Sequence, residues 1–263
     1  MNDPNSYPRL PPKDQLIMGL HAIQELLKHA PTRLLKVYTS IPQGRQERKN
    51  TLFQECEKRK IPIQIVSSEQ LTKMTGSDSH QSFAAHIQGR RYWTAKEFLE
   101  ATQDQDSVFV LMLDEIHDPQ NFGAILRSAE CFGVNAVAWS KNRGCDLTPS
   151  VAKASCGASE IIPLLRVSNL AETVDRFKEE GFEIIASVAN PDAKPLFSHI
   201  CAKKTLLIMG SEGEGIQPLL QKKADRLVYI PLSGKIQSLN VAQAAAILLA
   251  FCKGSALTNP PKG

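Results

Sequence analysis

Residues able to bind a ligand and act on it are concentrated in three loops, each directly after an apolar run typical of a strand. One of these loops, residues 231–240 (PLSGKIQSLN), leads into an almost wholly apolar helix predicted over 241–252. Backbone N–H groups at a helix start are unpaired and carry partial positive charge. Ser238 and Asn240 therefore stand at a helix start that suits an anionic or carboxylate-bearing ligand.

A second loop, residues 210–215 (GSEGEG), combines three glycines with two carboxylates. Glycine permits positive φ and exposes backbone N–H groups to a ligand. The loop has neither the Gly-Lys-Ser/Thr end of a Walker A loop nor the third glycine of GxGxxG, and its carboxylates Glu212 and Glu214 oppose a polyphosphate. An uncharged ligand or a cationic one, such as a sulfonium cofactor, fits this loop better.

The remaining loop runs into a helix predicted over 121–132. Asn121 is the predicted N-cap of that helix, because asparagine side chains accept hydrogen bonds from the first unpaired N–H groups. Arg127 and Glu130 are the only charged residues of this largely apolar helix. Arg127 is therefore a candidate for substrate contact, and an ion pair with a carboxylate such as that of Glu130 or Glu212 is the alternative.

The segments around these loops alternate between strands and helices. Strands are predicted at 108–113, 136–139, 184–188, 205–209 and 227–230, and helices at 121–132, 149–157, 170–180 and 241–252. The apolar runs do not alternate with polar residues, which indicates strands buried on both faces of a mostly parallel sheet covered by helices. Ligands of such sheets bind at the carboxyl ends of the strands, so we expect the three loops to share one site.

Residues 15–91 form a smaller predicted α/β unit. Its predicted helices span 16–30 and 50–60, and its predicted strands span 34–38, 61–66 and 83–87. Four prolines within residues 1–14 predict a disordered arm. The segment 92–106 is interpreted as a linker because 95–106 is rich in Glu, Asp and Gln, and a short helix within it is the alternative. The larger α/β domain then spans 107–254, and residues 255–263 form a tail.

The net charge of +4 is unevenly placed along the chain. Residues 1–104 contain 15 Lys and Arg against 11 Asp and Glu, whereas residues 105–263 contain 16 of each kind. Six of the basic residues lie between Arg45 and Lys60, a segment that suits contact with nucleic-acid phosphates. A solvated helix face is the alternative, and charge alone does not decide between the two.

Cysteine usage indicates a reducing compartment, and hydropathy indicates neither a membrane span nor a signal peptide. The six cysteines include no CxxC pair, so neither a zinc site nor a disulfide framework is expected. The longest apolar run, 241–252, is too short to cross a bilayer, and the N-terminus lacks the basic-then-apolar layout of a signal peptide. We therefore expect a cytoplasmic protein that binds neither a membrane nor a metal.

The three loops, taken together with their flanking elements, resemble the three motifs of the SpoU/TrmH family of the SPOUT methyltransferase superfamily. The matching segments are 121–129 (NFGAILRSA), 208–215 (IMGSEGEG) and 230–241 (IPLSGKIQSLNV). Residues 18–27 and 80–85 resemble the L30e-like substrate-binding domain of the same family, so the resemblance covers nearly the whole chain.

This resemblance implies an α/β-knot fold, with a deep trefoil knot in the C-terminal domain and a smaller L30e-like α/β domain before it. It implies an S-adenosylmethionine-dependent RNA 2′-O-ribose methyltransferase, acting on a guanosine of 23S rRNA as a homodimer without a metal. By motif match, Gly210, Ile230 and Leu239 would bind the cofactor through backbone groups. The implied catalytic and substrate-side residues are Asn121, Arg127, Glu212, Ser238 and Asn240.

The chain departs from the family pattern at two places. Ser82 replaces the glycine of the usual His-Gln-Gly loop, which could restrict the backbone after His80 and Gln81. Ala242 and Gln243 stand where relatives carry a small polar residue followed by an aliphatic one. The second change lies inside the predicted helix, so we expect it to leave the chemistry intact.

The implied chemistry leaves the role of Arg127 and the identity of the RNA open. A guanidinium is almost always protonated, so Arg127 either gives up its proton to act as the base for the ribose hydroxyl or binds the adjacent phosphate. The RNA could also be a tRNA or an rRNA site of the antibiotic-resistance type. From a different class, a non-catalytic RNA-binding protein of ribosome assembly is the remaining alternative, and the intact Asn121, Arg127, Glu212 and Asn240 oppose it.

Overall fold

The computed structural model describes residues 14–42, 50–140, 142–190, 193–211, 213–236 and 238–258. The chain divides into two compact units, an N-terminal unit that ends at Arg91 and a C-terminal unit that begins at Tyr92. Residues 1–13 of the predicted arm 1–14, the basic residues Arg45, Arg48 and Lys49, and Glu212 lie outside the described residues. Among the described helices, none is long and apolar enough to cross a membrane.

The described part of the N-terminal unit contains a four-stranded sheet and three α-helices. Its elements are β1 (Gln15–Met18), α1 (Leu20–His29), β2 (Leu34–Thr39), α2 (Asn50–Lys58), β3 (Ile63–Ile65), α3 (Ser68–Thr75) and β4 (Phe83–Ile87). The strand order is β1-β4-β2-β3, with β3 parallel to β2 and the other pairs antiparallel. This arrangement is the small α/β unit that the sequence predicts.

The predicted helix over 16–30 is wrong at its start, because Gln15–Met18 is a strand. Leu16 pairs with His86 and Met18 with Ala84, so this segment gains a complete antiparallel ladder on β4. Gly19 follows with φ +95, a conformation that glycine adopts readily, and the helix begins only at Leu20. The apolar residues of this segment have helical spacing, but pairing with β4 makes the segment a strand.

The loop of His80, Gln81 and Ser82 adopts a left-handed backbone without glycine. Gln81 has φ +53 and Ser82 has φ +66. Hydrogen bonds hold the loop: the Ser82 carbonyl accepts from Thr39 Oγ1 at 2.9 Å, and Ser82 N–H donates to His80 Nδ1 at 3.1 Å. Serine is therefore accommodated where the family glycine would adopt the same conformation at less cost.

The C-terminal unit is built on a seven-stranded parallel sheet. Its strands are β5 (Val108–Leu113), β6 (Ala136–Ser140), β7 (Leu164–Val167), β8 (Glu183–Ser187), β9 (Lys194–Pro195), β10 (Lys204–Met209) and β11 (Arg226–Tyr229). Its helices are α4 (Ala95–Thr102), α5 (Pro119–Cys131), α6 (Pro149–Ala154), α7 (Ala158–Ile161), α8 (Leu170–Glu179), α9 (Pro218–Lys223) and α10 (Val241–Thr258). The strand order is β7-β6-β5-β10-β8-β11-β9, and every pair is parallel.

Both faces of this sheet are covered, as the unbroken apolar strands predict. All six residues of β5 are buried: one set faces a core shared with α5 and α10, and the alternate set faces a core shared with α4 and α8. β5 and β10 are neighbours, and β8 separates β10 from β11. The loops after β5, β10 and β11 therefore leave the same edge of the sheet.

Residues 92–106, interpreted as a linker from composition, pack into the C-terminal unit. The Trp93 N–H donates to the Leu164 carbonyl at 3.0 Å, and α4 begins with a reciprocal capping box between Thr94 and Glu97. Phe98 and Leu99 of α4 are buried in the core. Lys96 and Glu100 lie on the exposed face of this amphipathic helix, and the acidic and amide residues 103–106 follow its end. At the other end, α10 runs to Thr258, four residues into the predicted tail.

Candidate active site

A cavity of about 630 Å³ lies at the carboxyl ends of β8, β10 and β11. The residues predicted to bind a cofactor, Gly210, Ile230 and Leu239, all line it, and so does Ser238. The loops after β10 and β11 therefore come together as one site. Its volume lies within the range of small-molecule sites, which is roughly 300–1,000 Å³.

Gly210 is required by the way the glycine-rich loop folds back on itself. A Cβ atom at this position would lie 2.0 Å from the Gly215 carbonyl oxygen and 2.5 Å from the Ile216 nitrogen. The loop closes through the Gly215 N–H, which donates to the Ser211 carbonyl at 3.1 Å. The chain can therefore make this tight return only if residue 210 has no side chain.

The described lining of the cavity is uncharged apart from one carboxylate. Among the described residues that line it, Glu214 is the single charged side chain, and no lysine or arginine is present. The rest of the lining is apolar or neutral and polar, including Tyr229 and Leu232. This electrostatic character suits an uncharged or cationic ligand better than a polyphosphate, as the composition of the glycine-rich loop predicts.

Asn240 joins the loop after β11 to helix α5. Its Nδ2 donates to Asn121 Oδ1 at 2.9 Å, while its Oδ1 accepts from the Ala242 N–H at 2.9 Å and so caps the start of α10. Leu239 lines the cavity, so this contact with α5 lies one residue beyond the cavity wall. Two of the predicted substrate-side residues are thereby in direct contact.

Asn121 is not the N-cap of α5, contrary to the prediction. The cap is Asp118, whose Oδ2 accepts from the Asn121 N–H at 2.8 Å, and Pro119 occupies the first helical position. Aspartate is as good a cap as asparagine, and proline fits the first position because its missing N–H would be unpaired there. The helix therefore starts two residues early, and the Asn121 side chain is left available for Asn240.

Arg127 lies on the exposed side of α5. Among the residues that the structure describes, it has no ion-pair partner, so the alternative of a pair with Glu130 is not realised. It does not line the cavity. The prediction for Glu212 lies outside the described residues. The structure thus brings together the cofactor-side residues, and separately Asn121 with Asn240, while Arg127 faces solvent.

Sequence reasoning missed one wall of the cavity. The last residue of β8 and the loop that follows it, together residues 187–190 (SVAN), line the cavity, as does Gln221 of α9. Gln221 Nε2 donates to the Ile216 carbonyl at 2.6 Å and thereby holds the end of the glycine-rich loop. The signal was the predicted strand at 184–188, whose carboxyl end belongs to the same edge. Residues 187–190 contain neither glycine nor a charged side chain, so their composition does not indicate a ligand site.

Asp114 is a second residue that the sequence did not single out. It follows β5 directly and is 1% exposed, yet both carboxylate oxygens accept hydrogen bonds from Gln217 at 2.8 Å. Burial raises the pKa of Asp114, and the hydrogen bonds from Gln217 act in the opposite direction. A buried carboxylate of this kind ties together two of the loops that form the site.

Comparison with known proteins identifies both units. The sequence profile of the SpoU rRNA Methylase family matches residues 108–250, and the profile described as RNA 2′-O ribose methyltransferase substrate binding matches residues 16–93. The chain is 35% identical over 236 residues to the 23S rRNA (guanosine-2′-O-)-methyltransferase RlmB of Escherichia coli, which covers 89% of this chain and 96% of that protein. The RlmB of Shewanella oneidensis is 34% identical over 238 residues, which covers 90% and 96%.

Solved structures of low sequence identity share the fold. The SpoU methyltransferase AviRb from Streptomyces viridochromogenes, in complex with AdoMet, superposes with a TM-score of 0.75 at 18% identity and covers 94% of this chain and 92% of its own. The AdoMet-bound rRNA methyltransferase from Sinorhizobium meliloti gives 0.72 at 21% identity, with 92% and 87% covered. From the profile match and the two RlmB relatives, this chain belongs to the SpoU rRNA methylase family.

Proposed function

We propose that this protein is an S-adenosylmethionine-dependent RNA 2′-O-ribose methyltransferase whose substrate is a guanosine of 23S rRNA. Family membership and the two RlmB relatives support the substrate. The observation that carries the proposal is the cavity lined by Gly210, Ile230 and Leu239, one residue from the contact between Asn240 and Asn121. A small-molecule site and a set of polar groups for a second reactant are thus adjacent.

The residues around the cavity fit this cofactor. A sulfonium is cationic, and the described lining offers one carboxylate and no basic side chain to oppose it. Backbone groups at Gly210, Ile230 and Leu239 would hold the cofactor, with Gly210 allowing the loop to close. When bound, S-adenosylmethionine supplies a methyl group that the positive sulfur activates toward nucleophiles.

The chain's own residues must position a weak nucleophile. These residues would hold the ribose 2′-oxygen in line with the methyl group that the bound cofactor would supply, while the hydroxyl proton would pass to solvent, so alignment would supply much of the rate. Ser238, Asn240 and Asn121 are the proposed substrate-side groups, together with Glu212. The exposure of Arg127 supports a role in binding the phosphate next to the ribose, because its guanidinium is accessible to a reactant from solution and can donate two parallel hydrogen bonds to a phosphate.

Three finer features belong to the same proposal. The C-terminal domain is a deep trefoil knot, for which family membership and the packing of α10 against α5 are the support. The protein acts as a homodimer whose active site is completed across the interface, and the N-terminal unit binds RNA. An rRNA substrate places the enzyme in the cytoplasm, and the reaction requires no metal.

The deciding experiment is methyl transfer in vitro from labelled S-adenosylmethionine to 23S rRNA, followed by mapping of 2′-O-methyl sites. We expect one modified guanosine in 23S rRNA and none in tRNA. Methylation confined to tRNA, or to a different rRNA site, would replace the substrate and keep the reaction. Tight rRNA binding with no transfer to any RNA would instead identify a non-catalytic protein of ribosome assembly.

A further inference from the structure

Gln217 is the centre of a hydrogen-bonded node that joins three loops of the C-terminal unit. Its backbone N–H donates to Asp114 Oδ2 and its side-chain Nε2 donates to Asp114 Oδ1, both at 2.8 Å. Its Oε1 accepts from Arg143 Nη1 at 3.0 Å, and the same Arg143 nitrogen donates to Glu115 Oε1 at 3.2 Å. Both the oxygen and the nitrogen of the Gln217 side-chain amide therefore form hydrogen bonds within the node.

The node connects the glycine-rich loop to the loop that leads into α5. Gln217 directly follows Ile216, the last cavity-lining residue of the glycine-rich loop. Asp114 directly follows β5, and its N–H donates to the Met209 carbonyl at 2.8 Å, so the two loops are joined at both ends of the glycine-rich segment. A shift at Gln217 would therefore move the cavity wall relative to the helix that carries Asn121 and Arg127.

We propose that Gln217 is a positioning residue, which sets the cofactor-binding loop against α5 through its two hydrogen bonds to the buried Asp114 carboxylate. The proposal rests on the proposed function, because it assigns the purpose of that alignment to methyl transfer. Gln217 lies after the matched glycine-rich segment and outside the residues that the family resemblance assigns to the site.

The donors and acceptors of this node allow one arrangement. Asp114 must offer two acceptors, since a backbone N–H and a side-chain N–H both point at it. Arg143 can only donate, so it holds the Gln217 amide with its oxygen outward and its nitrogen toward Asp114. Asp114→Asn therefore places one donor against another, and a flip of the Gln217 amide would only move that mismatch to Arg143.

The opposite single change creates a different mismatch, and the double change removes both. Gln217→Glu places a second carboxylate against Asp114, where the two must share a proton. In the double variant Asp114→Asn with Gln217→Glu, the asparagine oxygen accepts the backbone N–H, its nitrogen donates to the glutamate, and the glutamate still accepts from Arg143. Every hydrogen bond is restored, with the same number of charges and nearly the same shape.

The test compares the wild type, both single variants and the double variant. We measure kcat and KM for 23S rRNA methylation, the calorimetric affinity for S-adenosylmethionine, and hydrogen exchange of the amides at residues 211–217. Each single variant is expected to lose cofactor affinity by about tenfold or more, because one buried group next to the cofactor-binding loop is left without a matching partner. The double variant is expected within about threefold of the wild type, because its hydrogen bonds are complete.

The pH dependence adds a readout that a loss of folding would not give. Gln217→Glu should regain activity and cofactor affinity as the pH falls, since one added proton bridges Asp114 and the new glutamate, with Glu115 and Arg143 the other charged groups at the node. Arg143→Ala is a milder second variant, because it removes the hydrogen bond to Gln217 Oε1 but keeps both hydrogen bonds from Gln217 to Asp114. It should weaken the affinity for S-adenosylmethionine less than either single exchange at Asp114 or Gln217.

The possible outcomes separate this proposal from the proposed function. Unchanged affinity in both single variants, or a double variant as impaired as the two losses combined, would overturn the positioning role. A wild type that binds S-adenosylmethionine but methylates no RNA would refute the proposed function alone, and the affinities of the variants would still decide the node. If the wild type bound no cofactor, the exchange rates at residues 211–217 would decide it, with restored protection in the double variant as the expected result.

Discussion

Gly210 and Arg127 show how differently single residues serve the proposed site. Gly210 contributes by lacking a side chain, because any Cβ atom would collide with the backbone of Gly215 and Ile216. In the proposed mechanism Arg127 would contribute through its charge, which no described carboxylate neutralises. The absence of a side chain at Gly210 determines the shape of the cavity, whereas the charge of Arg127 would act on the RNA. They therefore predict opposite patterns of damage.

Gly210→Ala should damage cofactor binding. The added methyl group would force the glycine-rich loop open, at a cost of about 1–3 kcal/mol or more, so affinity for S-adenosylmethionine should fall by at least about tenfold. Isothermal calorimetry measures this. The matched control is Gly254→Ala, on the exposed side of α10, where the new methyl meets no atom within 4 Å. The control should bind normally and gain about 0.5–1 kcal/mol of stability. Equal affinities in the two variants would refute the clash.

Arg127→Ala should have the reverse effect. We expect kcat for rRNA methylation to fall by about a thousandfold, the scale of removing a positioned charge at a reacting centre, with cofactor affinity within about twofold of the wild type. Arg127→Lys keeps the charge but not the bidentate geometry and should recover part of the rate. Loss of cofactor affinity in a folded Arg127→Ala protein would contradict this division between the two reactants.

Ser82→Gly should stabilise the N-terminal unit. Serine at φ +66 carries a left-handed penalty of about 1–2 kcal/mol that glycine avoids, and the greater freedom of glycine in the unfolded chain offsets part of the gain. The expected net gain is about 0.5–1 kcal/mol, visible as slower amide hydrogen exchange in β4 and α3. The hydrogen bonds to the Ser82 backbone are independent of its side chain and should persist. Faster exchange would show that the serine side chain itself holds the loop.

At the scale of elements, α5 and α6 approach each other closely at Gly123. A Cβ atom there would lie 2.5 Å from Ala154 Cβ and 3.0 Å from the Val151 carbonyl oxygen. Because α5 also packs against α10 over the sheet, its place is fixed from two sides. This contact therefore determines where the helix holds Asn121 and Arg127.

Gly123→Ala should destabilise the C-terminal unit by about 1–3 kcal/mol through overpacking of this contact. Combining it with Ala154→Gly moves the methyl group from one helix to the other and should recover part of the loss. Recovery stays incomplete, since the Val151 carbonyl remains close and glycine is the poorer helix former. Urea unfolding followed by the fluorescence of buried Trp139 measures all four proteins. Additive losses in the double variant would place the strain elsewhere.

The elements of the C-terminal unit could largely be predicted, because strands buried on both faces are unbroken apolar runs. Prediction failed where a tertiary partner overrode a local pattern, and where two capping residues competed locally. Gln15–Met18 continued a helical spacing yet pairs with β4, and the cap moved from Asn121 to Asp118 because two good capping residues lie close together. For the site, the three glycines of residues 210–215 indicated that the loop after β10 binds a ligand. Residues 187–190 also line the cavity, but no glycine or charged residue marks them in the sequence. The hydrogen-bond partner of Asp114, Gln217, lies 103 residues further along the chain, so no local pattern could connect the two.

At the scale of the whole molecule, charge and the proposed chemistry are divided between the two units. Residues 1–91 contain 14 Lys and Arg against 8 Asp and Glu, whereas residues 92–263 contain 17 against 19. The cavity and the contact between Asn121 and Asn240 belong entirely to the C-terminal unit. Attraction for an RNA backbone thus resides mainly in one unit, and the proposed cofactor site resides in the other.

A protein consisting of residues 92–263 should therefore separate the two activities. We expect it to bind S-adenosylmethionine within about threefold of the full chain, because no cavity-lining residue is removed. Its affinity for 23S rRNA should fall by about tenfold or more, with a weaker dependence on salt, since the basic excess of residues 1–91 is gone. Calorimetry with the cofactor and filter binding at several salt concentrations measure the two effects. Full-length protein assayed in parallel is the control, and unchanged methylation of one specific guanosine by residues 92–263 would show that the C-terminal unit selects its RNA alone.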